Sequence, residues 1–97
     1  MEVVNDPAQL RYELRVDSTL AGFLAYRMES GSVVLVHTDV DPRFEGRGLG
    51  GRLVRGALDD IRARGLRVVP LCPFAAAYIR RHDEYADLVV GDPAVSD

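Results

Sequence analysis

The chain has 97 residues, 47% of them hydrophobic, with a formal net charge of −3, and all twelve of its Lys/Arg positions are arginine. That length supports one core and not two, so residues 1–97 are read as a single domain. One cysteine excludes an internal disulfide, two histidines far apart in sequence make no metal cluster with it, and no apolar run approaches the about 20 residues of a membrane span. The acidic start lacks the basic region of a secretory leader, so a cytoplasmic location is expected.

In chain order, Asp6-Pro7 is a short lead, followed by a strand over residues 10–16 in which Tyr12, Leu14 and Val16 alternate with Arg11, Glu13 and Arg15. Asp17-Ser18 turns into a second strand over 20–28, and residues 29–32 turn into a third over 33–40, giving an antiparallel meander. Leu49, Leu53, Ala57, Leu58 and Ile61 then repeat at helical spacing, with Gly65 as a C-cap. A fourth strand over 66–71 is reached through that helix, so it runs parallel to the third. Pro73 suits the first position of a second helix over 74–81, residues 85–90 return as a last strand, and residues 93–97 form a loose tail. The expected fold class is α+β, a mixed sheet in the order β-β-β-α-β-α-β.

Between the third strand and the first helix lies Asp41-Pro42-Arg43-Phe44-Glu45-Gly46-Arg47-Gly48-Leu49-Gly50-Gly51-Arg52. A glycine-rich strand-to-helix turn holds an anion, because backbone N–H groups approach it without a Cβ in the way and the helix N-terminus points at it. Arg43, Arg47 and Arg52 add side-chain charge. Residues 43–67 carry seven arginines against Glu45, Asp59 and Asp60, a local balance of +4 that leaves −7 elsewhere. Phe44 is the segment's lone aromatic, which argues against nucleic acid, and Arg55, Arg62, Arg64 and Arg67 read as a solvated helix face.

Gly46, Gly48 and Gly51 satisfy the dinucleotide pattern G-x-G-x-x-G, but no Asp or Glu stands between Asp60 and Asp83 to take a ribose. Gly46 and Gly51 have the Walker A spacing, yet Arg52 and Leu53 occupy the positions of the lysine and the Mg²⁺-binding hydroxyl. Residues 45–50 instead resemble the acyl-CoA diphosphate turn of the GNAT acetyltransferases, Arg/Gln-x-x-Gly-x-Gly/Ala, with Gly48 and Gly50 in register and Glu45 departing from the first position. A carboxylate repels a diphosphate, so Glu45 is expected to turn away and Arg47 to supply the charge. With His37-Thr38-Asp39-Val40, Cys72-Pro73-Phe74 and Tyr78-Ile79-Arg80-Arg81-His82, this turn is similar to the small single-domain, YjdJ-like group of the GNAT superfamily.

The resemblance implies acetyl-CoA as the co-substrate and a primary amine, of a small molecule or a protein, as its acceptor. It implies a parallel strand pair that splays apart to admit the pantetheine arm. Contacts are then expected from Thr38, Asp39 and Val40, from Arg43, Gly46, Arg47, Gly48, Leu49 and Gly50, and from Phe74 and Arg81. The helices that the superfamily usually inserts after its first strand are missing, which leaves an open acceptor side, for a protein tail or for completion by a second copy in a homodimer. A CoA-binding or sensing module without turnover is the rival reading.

Three residues carry the expected chemistry. Cys72, before a helix N-terminus, reads either as a nucleophile favoured by the helix dipole or as a small buried apolar residue. His37 suits removal of a proton from an attacking amine, or else is a strand histidine satisfied by a carbonyl. Tyr78 shares a helix face with Phe74 and His82; spacing alone makes it core packing, and the resemblance makes it the acid that protonates the leaving thiolate. Arg81 and His82 also complement the negative end of their helix.

Overall fold

The computed structural model describes residues 1–90, and the expected tail at 93–97 lies outside them. Five strands form one sheet in sequential order: β1 (Glu2–Asp6), β2 (Arg11–Val16), β3 (Thr19–Glu29), β4 (Ser32–Val40) and β5 (Arg67–Pro70). The first four are antiparallel neighbours, and β5 pairs parallel to β4. Two two-residue hairpins make the meander, at Asp17-Ser18 (φ 51° and 67°) and Ser30-Gly31 (φ 48° and 81°). Both pairs have the positive φ values of turns whose twist matches that of the strands.

Helix α1 (Leu49–Ala63) connects β4 to β5, and α2 (Pro73–Arg81) follows β5. The stripe Leu49, Leu53, Ala57, Leu58 and Ile61 is fully or nearly fully buried, as its spacing requires. Gly65 (φ 70°) closes α1: its N–H donates to the Arg62 carbonyl and that of Leu66 to Ile61, the paired bonds of a Schellman cap. Both helices cover the same sheet face, where Tyr12, Leu14, Leu24, Tyr26, Leu35 and Val68 meet them in one core. The opposite face, with Arg11, Phe23 and His37, has no helix over it among the described residues.

The fold class is the expected α+β mixed sheet with one parallel pair, but the elements differ at both ends. Residues 2–6, read as part of a lead, form β1 by pairing with β2. The last strand expected at 85–90 is instead a 3-10 turn, Asp83–Leu88, touching β5 through a single parallel bridge from Val68 to Val89. Tyr85 and Leu88 are both buried, three positions apart; a 3-10 turn puts them on one side, whereas a strand would send them to opposite faces.

Candidate functional site

Pairing between β4 and β5 ends at Leu35 and Pro70, and the Cys72 N–H then donates to the Leu35 carbonyl at 2.9 Å. Residues 36–40 of β4 continue with β3 alone, so the sheet opens between β4 and the start of α2. A register shift opposite Ala25 and Tyr26 leaves Val36 as an extra residue on β4. It turns Thr38 and Val40 to the helix side and His37 and Asp39 to the uncovered face.

Asp41 accepts from the Arg43 N–H at 2.9 Å and caps the 3-10 turn Pro42–Phe44. Beyond it, Gly46 (φ 84°) and Gly48 (φ 70°) take a conformation L side chains rarely adopt, and a Cβ on either would project into open space. Among the described residues, no carbonyl accepts from the N–H groups of residues 46–51. That is the unmet donor set expected where a helix begins, here left open by glycine. A cleft of 310 Å³ lies against it, lined by Thr38, Val40, Phe44, Glu45, Leu49, Phe74 and these glycines.

Gly50 explains how α2 joins the cleft. A Cβ there would come within 2.8 Å of the Phe74 ring, so its absence lets Phe74 lie over the turn. The helices run side by side: Phe74 meets Gly50, Tyr78 meets Gly51, Tyr85 bonds Asp59, and Arg62 bonds Asp87. Both positive helix ends, Gly48 at α1 and Cys72 at α2, therefore sit at the cleft. An open donor cradle beside an apolar channel fits a diphosphate joined to an uncharged arm.

Seven of the expected ligand residues, Thr38, Val40, Gly46, Gly48, Leu49, Gly50 and Phe74, line this cleft. Asp39 faces the other side of the sheet. The Arg43 guanidinium is bonded to Asp41 at 2.9 and 3.2 Å, which also holds the Asp41 carboxyl below its usual range. Arg47 lies over the Phe44 ring, 5.4 Å from its centroid, and is not among the residues that line the cleft. Arg81 is eight residues from Pro73, about 12 Å along the axis from the cleft end of α2. Glu45 borders the cleft, and Phe44 and Gly51 are lining residues not singled out from sequence. The signal for Phe44 was its standing as the one aromatic inside a charged turn.

The cysteine is 3% exposed, with its Sγ 3.2 Å from Thr38 Oγ1, a bond that crosses the opening from α2 to β4. His37 is exposed on the uncovered face, edge-on to Phe23 at 6.2 Å. Tyr78 is stacked on His82 at 3.8 Å and lines a different cleft, beyond the turn. Burial, ahead of the nearby carboxylates, raises its hydroxyl pKa. His82 Nδ1 donates to the Tyr78 carbonyl at 2.8 Å, closing the end of α2. The structure thus brings Cys72 and Thr38 together and leaves His37 and Tyr78 each apart from them.

Comparison with known proteins bears on the family and, separately, on the fold. The family model for GCN5-related N-acetyl-transferases matches residues 11–88. A mycothiol acetyltransferase from Clavibacter michiganensis subsp. michiganensis is 41% identical over 66 residues, covering 68% of this chain and 22% of that protein. The chain thus spans about a fifth of that relative's length. The NMR solution structure of a GCN5-like protein from Staphylococcus aureus superposes with a TM-score of 0.69 at 21% identity, over 93% of this chain and 88% of that one. With the family model spanning four-fifths of the sequence, the chain belongs to the GCN5-related N-acetyltransferase family.

Proposed function

We propose that the chain transfers an acetyl group from acetyl-CoA to a primary amine by direct attack. One observation carries this reading: the open N–H groups of residues 46–51 face a cleft that continues along β4 to the Thr38–Cys72 bond. The cradle would hold the diphosphate, and Thr38, Val40, Leu49 and Phe74 would hold the uncharged arm. Acetyl-CoA supplies an activated acyl carbon as its thioester.

Two proton transfers remain for the protein. His37, on the uncovered face, takes a proton from the amine that enters from that side. The departing sulfur must gain a proton, and the Cys72 thiol, hydrogen-bonded across the opening to the cleft-lining Thr38, supplies it. Cys72 then regains its proton from solvent, so one acetyl group and one proton change places. Tyr78 stays protonated at neutral pH, as an acid must, but it borders the neighbouring cleft. The name of the curated relative supports acetyl as the transferred group, and a chain without a disulfide partner for Cys72 suits a cytoplasmic enzyme. With no helix among the described residues over the sheet face that carries His37, the acceptor is a protein tail or a small amine held with help from a second copy.

Thiol release from acetyl-CoA across a panel of amines tests the reading. Amine-dependent release is expected, reduced about a hundredfold in Cys72→Ala with CoA affinity kept, and not restored in Cys72→Ser, whose hydroxyl is a far weaker acid than a thiol. Full turnover in Cys72→Ala would remove its proton role. One observation favours a CoA-binding module without turnover: ligand-holding groups cluster in one cleft, whereas His37 and Cys72 lie on opposite sheet faces. Tight binding without amine-dependent release would establish that reading instead.

A further inference from the structure

A second cleft, of 660 Å³, runs along α1 and meets the first at Gly48 and Gly51. Arg52 and Arg55 line it, and neither has a carboxylate within ion-pair distance among the described residues. By contrast, Arg43, Arg62 and Arg64 are each paired. Its wall includes Tyr78, 7% exposed. The other three tyrosines give their hydroxyls to Asp60, Asn5 and Asp59 at 2.6 to 2.7 Å, while that of Tyr78 has no partner among the described residues. That hydroxyl is open to the cleft and not buried, and with two uncommitted guanidinium groups on the same wall it makes a set of donors facing one cleft.

Two carboxylates also border the cleft, and their positions locate the anion. Asp59 accepts from the Tyr85 hydroxyl and lies eleven residues beyond Gly48, about 16 Å along the helix. Glu2 is exposed on the β1 flank, next to Val3, the residue that packs on Gly56. Arg52 and Arg55 are four and seven residues from Gly48, about 6 and 10 Å along the helix, on the side nearest the turn.

We propose that this second cleft binds a phosphomonoester through Arg52, Arg55 and the Tyr78 hydroxyl. The site extends the acyl-CoA reading, on which it rests, because CoA carries a phosphomonoester on its ribose in addition to its diphosphate. A separate phosphorylated ligand would present the same chemistry. Arg55, read from sequence as part of a solvated face, is then a binding residue.

Calorimetry on the whole chain with CoA, 3′-dephospho-CoA and inorganic phosphate separates the outcomes, in wild type, Arg52→Gln, Arg55→Gln and Tyr78→Phe. Wild type is expected to bind CoA about tenfold or more tightly than 3′-dephospho-CoA. Each variant should shrink that ratio, and Arg55→Gln and Tyr78→Phe should bind 3′-dephospho-CoA as wild type does. Equal binding of the two coenzymes, with phosphate bound by wild type and lost in Arg55→Gln, would identify a separate phosphorylated ligand in the same site. An unchanged ratio in all three variants, or no preference together with no phosphate binding, would overturn the proposal. Failure of the acyl-CoA reading is distinguishable, since neither coenzyme would then bind and phosphate alone would report on Arg52 and Arg55.

Discussion

Gly48 shows at the scale of a residue why the turn needs its composition. It caps α1 at φ 70° with open space where a Cβ would be, so the cost of a replacement is backbone strain and not a clash. Glu45 is the counterpart that sequence marked as a departure, and it does border the cleft. Glu45→Gln removes a negative charge at the edge of the cleft, so CoA affinity measured by calorimetry should rise slightly or stay level; strong weakening would show that the carboxylate orients the turn. The residues whose role follows from backbone conformation, Gly46 and Gly48, were legible because few residue types adopt positive φ. The Thr38–Cys72 bond was not legible: it joins positions 34 apart, and only the ending of β5 at Pro70 brings them together.

Elements were readable where a periodic apolar face meets a chemical stop signal. Helix α1 has both, an apolar stripe ending at Gly65, and Gly65→Ala should cost about 1–2 kcal/mol in denaturant unfolding because φ is 70°. No loss would mean that the cap relaxes freely. Leu53, fully buried between the helix and the sheet, should cost about 2–5 kcal/mol as Leu53→Ala. Strand β1 was invisible for the complementary reason. Its Val3 and Val4 are adjacent, so no alternation shows, and its pairing with β2 and the contact of Val3 with Gly56 make it a strand. The segment after α2 is apolar enough for a strand, but its Tyr85 and Leu88 are spaced for a 3-10 turn, and Arg62 holds it by bonding Asp87.

The described residues form a two-layer sandwich in which two tyrosines bond acids on α1, Tyr12 tying the sheet to that helix and Tyr85 tying the 3-10 turn to it. Tyr12 bonds Asp60 at 2.7 Å and Tyr85 bonds Asp59 at 2.6 Å. Burial first, and the bonded carboxylate second, push the Tyr85 hydroxyl up to about 12, and the same causes raise Tyr12 further. A folded pKa above the ordinary value near 10 means that the unfolded chain loses its proton first. Stability from these tyrosines is therefore complete below about pH 10 and lost as pH rises through the folded values. Thermal melts should fall across that range, and Tyr85→Phe should flatten part of the decline; an equal decline in the variant would remove Tyr85 as its source. At this scale the sheet, both helices and the glycine turn serve the proposal that main-chain donors hold the diphosphate of acetyl-CoA. The most direct test is to follow the backbone amide resonances of residues 46–51 while CoA is titrated into the whole chain. Saturable shifts largest at these amides are predicted, and CoA binding that leaves them unmoved would contradict the account.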